Sequence, residues 1–247
     1  FLSISTGPLC AQKVLYSPYI GTEPSTRFEV IGKAGSYYWV QKSKTKFSYR
    51  KVMEPWLDDK QLKFEIYDER MNLLRTIPSL LADSLIKEYL IPADEYFDQL
   101  SLQSADQKTI ALLTRYTPDG DLVRRDTIAE LPPKMKCGDF LLIRSQDKSK
   151  ILLLGFETVP DSPSRLHAIL YDKNWQLLCT NEYSNVHISK PLVQYEPIDY
   201  PLENYNSAPV KLGNNGEWLM ISSGLNHNYL LFHFMGMDNR FVYKEIK

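Results

Sequence analysis

The chain has 247 residues, of which 43% are hydrophobic and 24% charged, and its formal net charge is -1. That length suffices for one large domain or two small ones with a sizeable core, and the near-zero charge excludes an electrostatic hold on nucleic acid or anionic lipid. The 16 Tyr and 10 Phe against 11 Gly favour strands, whose pleated, half-buried surface suits flat rings.

Residues 1–12 carry no charge and are broken by Gly7-Pro8. They read as the remnant of a secretory signal, cut near Ala11 or Gln12. The expectation is an exported protein of the periplasm, cell surface or extracellular space. Leu9 stands where a lipid-attachment signal needs a small residue before Cys10, which argues against lipidation. No transmembrane segment is expected, since no stretch approaches the roughly 18 apolar residues of a span.

Apolar runs at 28–31 and 37–40 precede a composite motif at 62–76: a strand, then Tyr67-Asp68, a short polar turn, and Leu73-Leu74-Arg75-Thr76. The connection 43–60 is basic and contains Trp56; the cluster of Lys42, Lys44, Lys46, Arg50 and Lys51 reads as a solvated edge that discourages pairing with other strands. Segment 79–91 admits two readings. It is either a short helix capped by Ser79, with Leu81, Leu85 and Tyr89 four apart, or the first strand of a second unit. Strands at 96–102, 110–114 and 122–128 follow, with a looser motif copy at Tyr116-Thr117 and Leu122-Val123. A third unit shows four strands, near 139–145, 150–158, 165–171 and 176–183, and repeats the motif as Tyr171-Asp172 with Leu177-Leu178-Cys179-Thr180. Its run 151–154 is apolar on both alternating faces, so both are expected to be buried. After the Pro- and Tyr-rich connection 184–208, a fourth and weaker unit closes the chain.

Each motif copy is a hairpin, because Asp, Asn, Gly and Pro let the backbone reverse between two apolar runs. An all-strand repeat of about 40–50 residues is the mark of a propeller blade. In this pattern, over most of 13–247, the chain resembles exported β-propeller-like repeat proteins. The expected fold is all-β, a small β-propeller of four antiparallel blades (approximately 27–78, 85–131, 138–184 and 208–247), or five if the long connections hide strands. The resemblance implies a ring closed by an N-terminal strand, such as Val14-Leu15-Tyr16, pairing with the last blade; it assigns no functional residue. The alternative is two packed β-sandwich domains divided near 133–137, after Pro132-Pro133. Within a blade, Cys137 would enter the innermost strand and Cys179 the outermost. Three strand spacings put them about 14 Å apart, beyond the ~7 Å reach of a disulfide. Free thiols are expected.

Chemistry-bearing residues are sparse. His227 and His233 lie about 20 Å apart along a strand, too far to share a metal, and His167 and His187 have no ligand-like neighbours. There is no Gly-x-Ser-x-Gly nucleophile turn, and neither Cys137 nor Cys179 has a His nearby in sequence. Glu29, Asp139, Glu157 and Glu217 fall on or beside inner strands and are the carboxylates placed for glycoside hydrolysis. Asp68-Glu69 reads as turn chemistry. The stretch with Tyr195, Tyr200 and Tyr205, stiffened by prolines, and Trp56 offer large amphipathic contact area at low entropic cost. These four are the candidate binding residues. The expectation is a non-catalytic exported scaffold or binding module that docks a protein partner at the cell envelope, without cofactor or metal. Carbohydrate binding is the alternative, and a glycoside hydrolase-like enzyme the competing class.

Overall fold

The structure, a computed structural model, describes residues 26–44, 62–79, 84–106, 108–132, 139–157, 165–183, 210–223, 229–234 and 241–246. Trp56, Tyr195, Tyr200, Tyr205, Cys137, His187, His227 and the segment 1–25 lie outside them. The described residues are all-β and form four separate antiparallel sheets of four strands, each in simple up-and-down order. Sheet 1 contains β1 (Thr26–Ala34), β2 (Tyr37–Lys44), β3 (Lys63–Tyr67) and β4 (Leu73–Pro78). Sheet 2 contains β5 (Leu85–Pro92), β6 (Phe97–Ala105), β7 (Lys108–Tyr116) and β8 (Leu122–Leu131). Sheet 3 contains β9 (Phe140–Arg144), β10 (Lys150–Glu157), β11 (Arg165–Asp172) and β12 (Leu177–Tyr183). Sheet 4 contains β13 (Val210–Leu212), β14 (Trp218–Ser223), β15 (Tyr229–Phe234) and β16 (Phe241–Ile246).

The repeated motif is one turn built three times. Ladder register slips at Ile66/Tyr67, Arg115/Tyr116 and Leu170/Tyr171, a bulge immediately before each reversal. Backbone bonds Met71 N–H to Asp68 O, Gly120 N–H to Thr117 O and Trp175 N–H to Asp172 O then close the three turns at 2.9, 2.9 and 3.0 Å. The closing residue is left-handed each time, with φ of 61°, 95° and 64°. The first residue pins the turn from its side chain. Asp68 Oδ1 accepts from Arg70 N and Asn72 N, Asp172 Oδ1 from Asn174 N and Gln176 N, and Thr117 Oγ1 from Asp121 N, all at 2.8 Å. That is why Tyr is followed by Asp or Thr.

Of segment 79–91, the described residues 85–91 are strand. Ser79 N–H bonds Leu62 O across the β3–β4 hairpin, and β5 pairs with β6 as the first strand of sheet 2. Pairing and burial override the four-residue spacing, and Tyr89 is held by its hydroxyl donating to Phe140 O at 2.9 Å.

The chain forms two compact units. The first contains sheet 1 together with the turns 92–96 and 117–121. Its core is Trp39, Phe64 and Ile66, all fully buried, with Trp39 Nε1 donating to Pro118 O at 2.9 Å. Gly120 sits so close that a Cβ would lie 2.4 Å from Ile66 Cδ1 and 2.6 Å from Ile77 Cδ1.

The second unit holds the rest of sheets 2, 3 and 4. Leu100, Leu102, Ala111 and Leu113 of sheet 2 pack on Ile151, Leu153, Ile169 and Tyr171 of sheet 3. The opposite face of sheet 3, including Leu152, Leu154, Ala168 and Leu170, packs on Trp218, Met220, Phe232 and Phe234 of sheet 4. Sheet 3 is therefore buried on both faces, as its doubly apolar run 151–154 anticipates. The first of these cores joins sheets on either side of 133–137, so the alternative of two sandwiches divided there does not hold. The remaining face of sheet 2 is buried too and mixes polar Gln99, Ser101, Gln103 and Thr114 with the aromatic pair Phe97 and Tyr116. In sheets 1, 2 and 3 the fourth strand is largely exposed, and the motif's apolar pairs (Leu73-Leu74, Leu122-Val123, Leu177-Leu178) lie on it. β9 and β12 are the opposite edges of sheet 3, as the cysteine argument requires, and Cys179 on β12 is a half-buried free thiol whose pKa burial raises.

Replacing Leu153 by Ala, at 0% exposure, should cost about 2–5 kcal/mol in chemical denaturation, while Leu122→Ala, at 55% exposure, should stay within about 0.5 kcal/mol. Gly120→Ala combines a left-handed φ with overpacking and should cost about 1–3 kcal/mol by the same measurement.

Candidate functional site

The up-and-down order gives every sheet two unlike ends. One end carries both hairpin reversals, such as 68–72 in sheet 1 and 145–149 and 172–176 in sheet 3. From the other end leave the middle connection of each sheet and the links to the next sheet, 45–62 and 184–209 among them.

Polar groups at the reversal end are engaged in holding the fold. Trp175, the left-handed residue of its turn, is 4% exposed and donates from Nε1 to Asp98 Oδ2 at 2.8 Å. Arg115 grips the same carboxylate with Nε and a terminal nitrogen at 2.7 and 2.8 Å. A buried bidentate pair with a third donor satisfies the carboxylate's lone pairs, which a desolvated charge requires. Asn214, in the reversal 213–217, accepts the Asp147 N–H at 3.3 Å and takes the Lys150 ammonium on its carbonyl. Asp147 itself is lowered to about 2 by hydrogen bonds from Ser145 and Ser149.

At the connection end of sheet 3 the chemistry differs. His167 on β11 is flanked in register by Gly155 of β10 and Glu182 of β12. Its Nε2 lies 3.1 Å from Glu157 Oε2 and its Nδ1 3.9 Å from Glu182 Oε2, while Arg165 approaches the same two carboxylates at 4.0 and 3.9 Å. His167 thus has carboxylate neighbours, contrary to the sequence expectation. They lie 10 and 15 positions away and meet it through strand pairing. The readable signal was the hairpin itself, which sets Glu157 opposite Arg165. These four side chains make a polar rim, two carboxylates with a guanidinium and an imidazole, where the links 158–164 and 184–209 depart. Both imidazole nitrogens face carboxylates.

The other carboxylates named from sequence occupy separate places. Glu29 is half-buried in β1, Asp139 is buried just before β9, and Glu217, before β14, lies 3.7 Å from His233. Lys42 is not solvated as expected: it pairs with buried Glu65 at 2.9 Å and lies over the Phe28 ring. Tyr67 donates to that same Glu65 at 2.7 Å. Tyr183, at the head of the aromatic stretch, is core, packed edge-on against Phe234 with ring centroids 4.8 Å apart. Among the described residues no group of three or more His, Cys, Asp or Glu is placed to hold a metal ion, and no helix is long and apolar enough to cross a membrane.

Removing one partner of the buried pair should be costly: Arg115→Met leaves Asp98 charged and unpaired and should lose about 3–5 kcal/mol. Trp175→Phe, which removes one donor, should lose about 1–3 kcal/mol, both read by denaturation. Burial and the Glu65 hydrogen bond push the Tyr67 phenol up from 10.0 to about 12. A raised acid favours its neutral folded form, so this contribution to stability is complete below pH 10 and disappears as pH rises through about 12. Burial also raises the Tyr116, Tyr171 and Tyr183 phenols, so ultraviolet titration should show several late-titrating tyrosines, one fewer near pH 12 in Tyr67→Phe.

No protein-family model matches the chain, and no curated protein matches it in sequence. Among solved structures, the catalytic domain of a Coprinopsis cinerea GH62 alpha-L-arabinofuranosidase aligns with 94% of this chain and 93% of its own, at 8% identity and a TM-score of 0.32. Similarity that slight carries no argument about architecture or activity.

Proposed function

We propose that the four sheets are blades of a small propeller-type scaffold, exported and non-catalytic, which docks a protein partner through the connection ends of its sheets. The observation that carries this reading is the contrast between the two ends of each sheet. At the reversal end, side chains such as Asp68, Asp147 and Asp172 are consumed in fixing their own turns. The long connections 45–62 and 184–209, whose sequences contain Trp56, Tyr195, Tyr200 and Tyr205, start from strand ends on the opposite side. Connections on a rigid sheet scaffold are where recognition residues concentrate, because their length and composition can change without disturbing the core. The rim of Glu157, Arg165, His167 and Glu182 supports the same end as the contact surface.

The test is affinity capture from a cell-envelope extract followed by cross-linking mass spectrometry. The expected result is a protein cross-linked to 184–209 or 45–61, lost when Tyr195, Tyr200 and Tyr205 are changed together to Ala and retained in Leu177→Ala on the outer strand β12. Cross-links confined to β4, β8 and β12, or release of sugars from a polysaccharide panel by the purified chain, would overturn the reading.

A further inference from the structure

Sheet 4 has one covered face and one open face. Trp218, Met220, Phe232 and Phe234 lie in the core shared with sheet 3, whereas the alternate positions Leu219, Ile221 and Val242 are 43%, 40% and 53% exposed. Pairing lines up Lys211, Leu219, His233 and Val242 across the four strands, with Ile221, Leu231 and Lys244 in a neighbouring row, so they form a single surface. Contiguous apolar surface of this kind marks a place of docking. The corresponding face of sheet 3 carries Leu152 and Leu154, and what covers it is another four-stranded sheet. The occupant that fits the open face of sheet 4 is therefore a sheet.

The charges on the face say which sheet. Glu217 stands two positions before Leu219 on β14, and Lys244 two positions after Val242 on β16. Because β14 and β16 run the same way on either side of β15, the two charges occupy opposite corners of a patch centred on His233. Both are exposed, and Glu217 lies 3.7 Å from the His233 ring, on the open side of the sheet. A half-turn about an axis through His233, perpendicular to the sheet, exchanges the two corners and exchanges Leu219 with Val242. The face is thus complementary to itself: laid on a second copy, Glu217 meets the second copy's Lys244, and Leu219 meets its Val242. We propose that the open face of sheet 4 is a self-association surface, on which two copies of this chain pair about that two-fold axis. Such an interface is isologous, so every contact is made twice. Stacked sheets keep their strands within about 30° of each other, which leaves the corners opposed. Four strands of about six residues make a face of roughly 19 by 20 Å, the scale of a weak, reversible dimer and not of an obligate one. The pairing uses a broad face and leaves the connection ends of the sheets to partner docking.

Sedimentation equilibrium at low salt tests the pairing on the purified chain. The expected result is a monomer–dimer equilibrium with a Kd between about 1 μM and 1 mM. Glu217→Lys and Lys244→Glu each set like charges together twice in the dimer, so each should weaken it about tenfold or more. Both positions are exposed, and an unchanged circular dichroism spectrum checks that the variants fold. An equimolar mixture of the two variants faces every acidic position with a basic one again. The mixture should recover dimer to within about threefold of the original chain, as hetero-pairs, which a contact inside one chain could not produce. A monomer up to about 1 mM overturns the proposal. So does a dimer indifferent to both substitutions, which would use another surface, and so does loss of dimer in both variants without recovery on mixing.

Discussion

A sheet that must bury both faces fixes almost everything else in this chain. Sheet 3 presents Leu153 and Ile169 to one neighbour and Leu152 and Leu154 to the other, so neither broad side can meet water. Alternation with period two, which lets a lone sheet keep one wet side, is given up there, and the sheet persists only because neighbours cover it. What remains for solvent is the outer strand and the two ends. Any recognition by that sheet has to be done from those places.

The turns show how such a stack is locked. A left-handed residue closes the third reversal of sheets 1, 2 and 3, but the side chain there differs: Met71, Gly120 and Trp175. Glycine is needed at 120, because any side chain would collide with Ile66 and Ile77. Tryptophan at 175 does the opposite, projecting into the core and onto Asp98 despite the strain an L-residue meets at positive φ. One backbone turn thus serves either as a flat surface for close approach or as a peg, according to a single side chain.

This division explains what was legible in the sequence and what was not. The Tyr-Asp copies at 67 and 171 and the looser one at 116 announced the repeat, because the turn needs a small polar side chain immediately after the bulge. The four strands of sheet 3 could be bounded to within a residue or two for the same reason. Segment 79–91 stayed open because its apolar spacing fits a helix as well as β5, and only pairing with β6 decides. The buried mixed face of sheet 2 was hidden, since Gln99, Ser101 and Gln103 look like an ordinary solvent face in the alternation. The His167 rim and the Asp98–Arg115–Trp175 cluster were illegible because their members come from different strands, and in the second case from different sheets 77 positions apart. Trp56 and the tyrosines of 184–209 were chosen by composition, a kind of signal that strand pairing does not report on.

The up-and-down order has a consequence for how such a chain can change over generations. Insertions or deletions at the reversal end would shift a ladder by a residue and turn core side chains outward. At the opposite end a link can lengthen, shorten or change character while every strand keeps its partner. Lineages that share the sheets could therefore diverge freely in what they recognise, and sequence comparison would lose sight of their kinship first in the segments that had done the most adapting.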